Sequence, residues 1–182
     1  MMERTLIFSI RPALEADIPP LQALIERSAL ALSVGFYTQQ QTEAVTREVF
    51  GVDSRLVEDS TYYVVETDAT IVACGGWGRR STSFGGDQAK TASERLLDPA
   101  TDAAKIRAFF VDPAWARRGL GSMLMTHCTA QAAAAGFTQF ELVATMPGEP
   151  LYRALGFAVA ERFDLLLGQG IRVPVARMRR SA

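Results

Sequence analysis

At 182 residues with a formal net charge of −1, the chain has single-domain size and no global basic field to draw it to nucleic acid or an anionic membrane. Apolar residues make up 48% and charged residues 21%, an ordinary globular balance, and one histidine with two distant cysteines, Cys74 and Cys128, argues against a metal centre or a disulfide framework. The stretch MMERTLIFSIRP lacks a secretory pattern and no apolar run reaches membrane-spanning length, so the expectation is a cytoplasmic, metal-free protein off membranes and nucleic acid.

Leu6 to Arg11 reads as a short strand closed by Pro12. A helix follows, with Asp17 as N-cap, Pro19 and Pro20 in its first turn, and Leu21, Leu24, Ile25 and Ala29 at helical spacing. Thr38 and Gln41 have capping-box spacing and predict a second helix running to about Phe50. Thr61 to Glu66 and Thr70 to Trp77 read as strands joined by a turn at Asp68 and Ala69. Arg79 to Ala104 shows no strand pattern; it holds Gly85-Gly86 and a short helix signal at Thr91 and Glu94, and a loop of this length reads as a lid or as a linker.

Ile106 to Val111 is the next strand, then a helix from about Gly119 to Ala135, a strand from Phe140 to Thr145 and a short helix from Pro150 to Leu155. Two last strands, Ala158 to Leu166 and Arg172 to Met178, flank the turn Gly168-Gln169-Gly170. The β-α-β unit in the middle requires a parallel pair and the flanking hairpins require antiparallel ones. The expected fold is therefore α/β: one domain over residues 1–182, with a mixed, mostly antiparallel sheet flanked by helices.

The most informative stretch is Ile106 to Met125, IRAFFVDPAWARRGLGSMLM. A strand runs through a Pro-bearing turn, and Arg117, Arg118, Gly119, Leu120, Gly121 and Ser122 open a helix. Free N–H groups at a helix start favour an anion, glycines at 119 and 121 allow close backbone approach, and arginines add donors suited to phosphate. The run fits neither a P-loop nor the spaced glycines of dinucleotide folds.

In context, V-D-P-A-W-A-R-R-G-L-G-S resembles the pyrophosphate-binding motif of the GNAT acetyltransferase superfamily, and Pro150-Leu151-Tyr152-Arg153-Ala154-Leu155-Gly156-Phe157 resembles its second signature. The element order matches over essentially the whole chain. The resemblance implies transfer of an acetyl group from acetyl-CoA, as co-substrate and without metal, to an amine of a small molecule or a peptide N-terminus. It also implies a homodimer. The strands Ile106 to Val111 and Phe140 to Thr145 should splay, with the pantetheine arm pairing with main-chain groups of Phe109 and Val111 and with Phe110 beside it. Tyr152 takes the position of the acid that protonates the thiolate. Two departures stand out: Ala116 replaces the usual Gln or Arg, and Pro147 replaces an Asn that contacts the cofactor arm.

The base that deprotonates the amine is open between Glu141, Asp112 and an ordered water path; His127 sits mid-helix and, like Cys74 and Cys128, reads as structural. Acceptor contacts are expected from Phe36 and Tyr37 in the first helix–helix turn and from Phe84 in the long loop, with Asp87 for a second cationic group. Two rivals are a non-catalytic acyl-CoA-binding or sensing domain and a generic phosphate-binding α/β domain. Tyr152 argues against the first, and the lack of an acidic ribose partner against the second.

Overall fold

In a computed structural model that describes residues 6–90 and 94–182, the elements run β1 (Ser9–Pro12), α1 (Ile18–Leu32), α2 (Gln39–Glu48), α3 (Ser54–Glu58), β2 (Tyr62–Thr67), β3 (Thr70–Gly78) and β4 (Ala104–Val111). They continue α4 (Leu120–Ala134), β5 (Gln139–Thr145), α5 (Glu149–Ala154), β6 (Ala158–Leu166) and β7 (Arg172–Ser181). Local chemistry sets several boundaries. Thr38 Oγ1 accepts from the Gln41 amide at 3.2 Å and Gln41 Oε1 accepts from the Thr38 amide at 3.0 Å, the reciprocal box that starts α2. Asp17 stands at the start of α1, but its carboxylate accepts from the Leu14 amide and from Arg11, tying β1 to the helix instead of capping it. The five-residue α3 is too short to show a periodicity in sequence; Asp53 Oδ1 accepts from the Arg55 amide to start it. No helix among the described residues is long and apolar enough to cross a membrane.

The strands form one seven-stranded sheet in the order β1-β2-β3-β4-β5-β7-β6, with β4 and β5 its parallel neighbours. Alternate residues of β2 sort the helices onto two faces. Tyr62 and Val64 pack with Leu21, Leu24 and Ile25 of α1 and Leu56 of α3. Tyr63 and Val65 pack with Leu120, Leu124, Met125 and Cys128 of α4 on the other face. Val45 and Val49 cover Leu165, Val173 and Val175 of the last hairpin. Each fully buried Leu or Val contributes about 1.5–3 kcal/mol, so the two apolar layers hold the sheet between the helices.

The parallel pair is joined over a short length: Ala104 faces Phe140 and Lys105 faces Glu141, and no further pairing links the two strands. Their outer edges stay paired, β4 with β3 and β5 with β7 out to Thr145. Two inner backbone edges, Ile106 to Val111 and Leu142 to Thr145, are thereby left without strand partners. A bulge accompanies the separation, since Cys74 pairs with Phe110 while Gly76 pairs with Arg107, one extra residue on β4. Ala108 takes the left-handed φ of 54°, and its carbonyl accepts from the Tyr62 hydroxyl at 3.0 Å. Phe109 lies over Gly75, where a Cβ would fall 2.4 Å from the ring.

The segment between β3 and β4 is fastened to the body. Arg107 on β4, 4% exposed, donates to Asp53 Oδ2 at 2.9 Å, to the Gly85 carbonyl at 2.6 Å and to the Thr82 carbonyl at 3.1 Å. Lys90 pairs with Asp53 and Asp87, and the Gly86 and Asp87 amides donate to the carbonyls of Val49 and Val52. These bonds exclude a linker that touches nothing over residues 82–90; the helix signal at Thr91 falls outside the described residues. Because Asp53 is 1% exposed, Asp53→Leu strands a buried guanidinium. Chemical denaturation should show a loss of about 3–5 kcal/mol, and melting should show a fall of roughly 6–20 °C. A loss below about 1 kcal/mol would mean that water reaches the pair.

Candidate active site

A cavity of about 710 Å³ opens where β4 and β5 part, and it is lined from both faces of the sheet: α1 on one side, α4 and α5 on the other. That volume is in the range of ligand and cofactor clefts. Phe109 and Phe110 both line it but point to opposite faces. Phe109 packs with the α4 layer and meets Tyr152 edge-on at 6.5 Å, while Phe110 packs with the α1 layer and meets Phe50 edge-on at 5.3 Å. Val111 follows Phe109 on the α4 face.

On that face the chain turns into α4 through Arg117 (φ 63°) and Gly119 (φ 79°). The helix has no side-chain cap, so the amides of Leu120, Gly121 and Ser122 are those that a helix leaves without internal partners. Gly119, Leu120, Gly121, Ser122 and Arg117 all line the cavity, and Arg117 makes no ion pair among the described residues. Arg118 turns away and lies over Trp115, 5.0 Å from the ring centre. The two glycines have different reasons to be glycine. Gly119 adopts a backbone that disfavours other residues, while a Cβ on Gly121 would come within 2.8 Å of Leu151 on α5. Close helix contact, as well as backbone access, therefore dictates Gly121.

Glu149 fixes α5 by accepting from Arg153 and from both terminal nitrogens of Arg162 on β6. Tyr152 then faces the cavity, its ring held between Phe109 and Phe157. Its hydroxyl has no hydrogen-bond partner among the described residues, and burial pushes its pKa well above the ordinary phenol value. It stays protonated at neutral pH.

The α1 face brings Phe36, Phe84 and Phe50 to the same cavity. Tyr37, expected there, is instead buried in the frame: its hydroxyl donates to the Pro174 carbonyl at 2.7 Å and accepts from the Met146 amide at 2.9 Å. Asp87, expected to hold a second cationic group, accepts from Ser54 and pairs with Lys90, and it faces a separate cleft beside α2. The expected bases lie elsewhere too. Burial works to raise the Glu141 carboxyl, but hydrogen bonds from Lys105 at 2.6 Å and Arg179 at 2.8 Å outweigh it and hold the group below its usual range. Asp112 caps the turn before α4 and pairs with Arg27. His127 rests edge-on against Tyr63 at 4.4 Å, and burial lowers its pKa. Burial pushes the Cys74 thiol up to about 12 and the Cys128 thiol higher still, which leaves both unreactive. Among the described residues no group of three or more His, Cys, Asp or Glu side chains could hold a metal ion.

Arg107 and Phe50 also line the cavity, and neither was singled out from the sequence. An arginine inside the apolar run IRAFFV was the available signal, because a buried cation requires a partner. Asp53 could not be named as that partner without the fold.

Residues 58–159, more than half of the chain, match the sequence model of the acetyltransferase (GNAT) domain. The fold is similar to a GCN5-related N-acetyltransferase from Rhodopseudomonas palustris, with a TM-score of 0.71 at 18% identity, covering 100% of this chain and 99% of that one. It is also similar to the PaiA N-acetyltransferase of Thermoplasma acidophilum in complex with coenzyme A, with a TM-score of 0.64 at 13% identity over 97% and 99% of the two chains. A third likeness is to yncA of Salmonella typhimurium, a putative acetyltransferase with acetyl-CoA, with a TM-score of 0.60 at 16% identity over 96% and 94%. The domain match and the parted parallel strands agree, and the chain belongs to the GNAT family of acetyltransferases.

Proposed function

We propose that the protein transfers the acetyl group of acetyl-CoA to a primary amine by direct attack within a ternary complex. The observation that carries the reading is one cavity joining an unpaired β4 edge, an uncapped helix start and a protonated tyrosine. Acetyl-CoA supplies an acyl group on a thioester with a thiolate leaving group. Main-chain groups of Phe109 and Val111, on the unpaired edge, suit the pantetheine arm as a strand-like guest in the gap. The amides of Leu120, Gly121 and Ser122, with Arg117, suit the pyrophosphate. Arg118, stacked on Trp115, serves the turn instead. Tyr152 Oη donates its proton to the sulfur as the carbon–sulfur bond breaks. The amine's own proton leaves to water, for no carboxylate or imidazole lines the cavity among the described residues. Coenzyme A in PaiA and acetyl-CoA in yncA support the donor assignment.

The same lack of a base favours a second reading, an acyl-CoA sensor without catalysis. That reading requires acetyl-CoA binding with no thiol release in the presence of any amine.

Ser122→Glu separates the anion site from helix stability. A carboxylate in the first turn of α4 favours the helix dipole, so melting should not fall. Acetyl-CoA affinity, read by calorimetry, should drop at least tenfold, about 1.4 kcal/mol. Unchanged affinity in the folded variant would remove the pyrophosphate from this turn. Tyr152→Phe keeps the ring against Phe109 and Phe157 and deletes the proton donor. We expect kcat to fall about 10²-fold with acetyl-CoA affinity nearly constant; full kcat with a good acceptor would exclude Tyr152 as the acid.

A further inference from the structure

We infer that the acceptor is a small amine carried on an aromatic or bulky apolar body, with no second positive charge, and that it enters the cavity as the free base. The inference rests on the acetyl-transfer reading and deepens it. On the α1 face the wall is Phe36, Phe50, Phe84 and Phe110, with Leu32 and Val49 beside them. Polar atoms there come from Ser28, Ser33 and Ser83, hydroxyls that can hold a neutral amine but cannot balance an ammonium.

The titratable and charged groups facing the cavity can be taken element by element. Arg107 comes from β4, Arg117 from the turn before α4, and Tyr152 from α5. The lining residues of α1, residues 49–51, β5, α4 itself and the 83–86 segment add no charged side chain. Asp53, the carboxylate paired with the cavity-lining Arg107, is consumed by Arg107 at 2.9 Å and Lys90 at 2.7 Å. Asp87 and Glu141, the carboxylates a polycation would need, are paired away from the cavity.

Magnitudes decide between an aromatic cage for a cation and a chamber for a neutral amine. Phenyl faces repay only part of what a cation loses when it leaves water with no counter-ion present. The free base avoids the cost, and its nitrogen lone pair is the one that can attack. The room is limited as well, because the about 710 Å³ must hold the pantetheine end and the acceptor together. That favours a small molecule over a peptide.

The acceptor's own ionisation, and no group of the enzyme, then governs the alkaline rise of kcat/KM. Phenylalanine amide and phenethylamine share one aromatic body, but their amines titrate near about 8 and about 10.4, the values for an α-amine and a lysine-like amine. Rates of thiol release with acetyl-CoA should rise with unit slope and level near each amine's own pKa. Calorimetry on the CoA-saturated enzyme at neutral pH should show about one proton released per phenethylamine bound, and spermidine should neither bind nor react. Phe84→Ala should raise KM for phenethylamine about tenfold and leave that for acetyl-CoA unchanged.

A common break for both amines, or binding without proton release, would overturn entry as the free base. Faster turnover of spermidine or an aminoglycoside would overturn the substrate class and leave acetyl transfer standing. A tenfold preference for a phenylalanyl tripeptide over phenylalanine amide would make the acceptor a peptide N-terminus and overturn the small-molecule assignment. Acetyl-CoA binding with no thiol release for any amine would overturn acetyl transfer itself, and this inference with it.

Discussion

Two parallel strands that pair at one end and part at the other are the constraint on which the rest of the molecule depends. Ala104 and Lys105 hold β4 to β5, and beyond them the backbone of each strand turns an unsatisfied edge toward the other. Unpaired backbone groups inside a sheet are costly unless water or a guest strand meets them. Several features keep the gap from closing. The bulge at Ala108 shifts the register of β4, the Tyr62 hydroxyl holds the displaced carbonyl, and the bare Cα of Gly75 makes room for the Phe109 ring. Arg107, one residue earlier, is anchored by Asp53.

The bulge also divides the labour between the faces. Phe109 and Val111 join the α4 layer, where the helix start, Arg117 and Tyr152 collect. Phe110 joins the α1 layer and meets Phe50, and Phe36 and Phe84 line the same cavity. The electrostatics differ accordingly. The α4 side presents free amides and an arginine without a carboxylate partner among the described residues, a setting for an anion. The α1 side is apolar, and the carboxylates around it are neutralised in ion pairs. In the proposed reaction these become the donor and acceptor sides, and the gap is the passage where their reacting groups meet.

What the sequence revealed and what it hid divide along one physical line, the reach of the interaction. The capping box of Thr38 and Gln41, the strand-to-helix turn at Gly119 and the order of the elements apart from α3 are set by neighbours in the chain, and they were legible. The role of Tyr37 depends on the carbonyl of Pro174 at the far end of the sequence, so an aromatic in a turn was read as a substrate contact when it is a frame residue. Asp87 pairs with Lys90 three residues on, but its hydrogen bonds from Ser54 exist only once the loop is folded back. Gly121 answers to Leu151, and Arg107 answers to Asp53; neither partner lies within the motif that drew attention to its neighbourhood. The fastening of the loop before β4 was hidden because its partners, the backbone of Val49, Phe50 and Val52 and the side chains of Asp53 and Arg107, lie far from it in sequence.

Hydrogen exchange, compared between the free protein and the protein saturated with acetyl-CoA, tests the parted strands most directly. The account predicts new protection of the β4 amides between Ile106 and Val111 that face β5, and of the amides from Leu120 to Ser122, with β1 and β6 unchanged. Unaltered exchange along β4 in a protein that demonstrably binds acetyl-CoA would contradict it, because the ligand would then lie somewhere other than the gap.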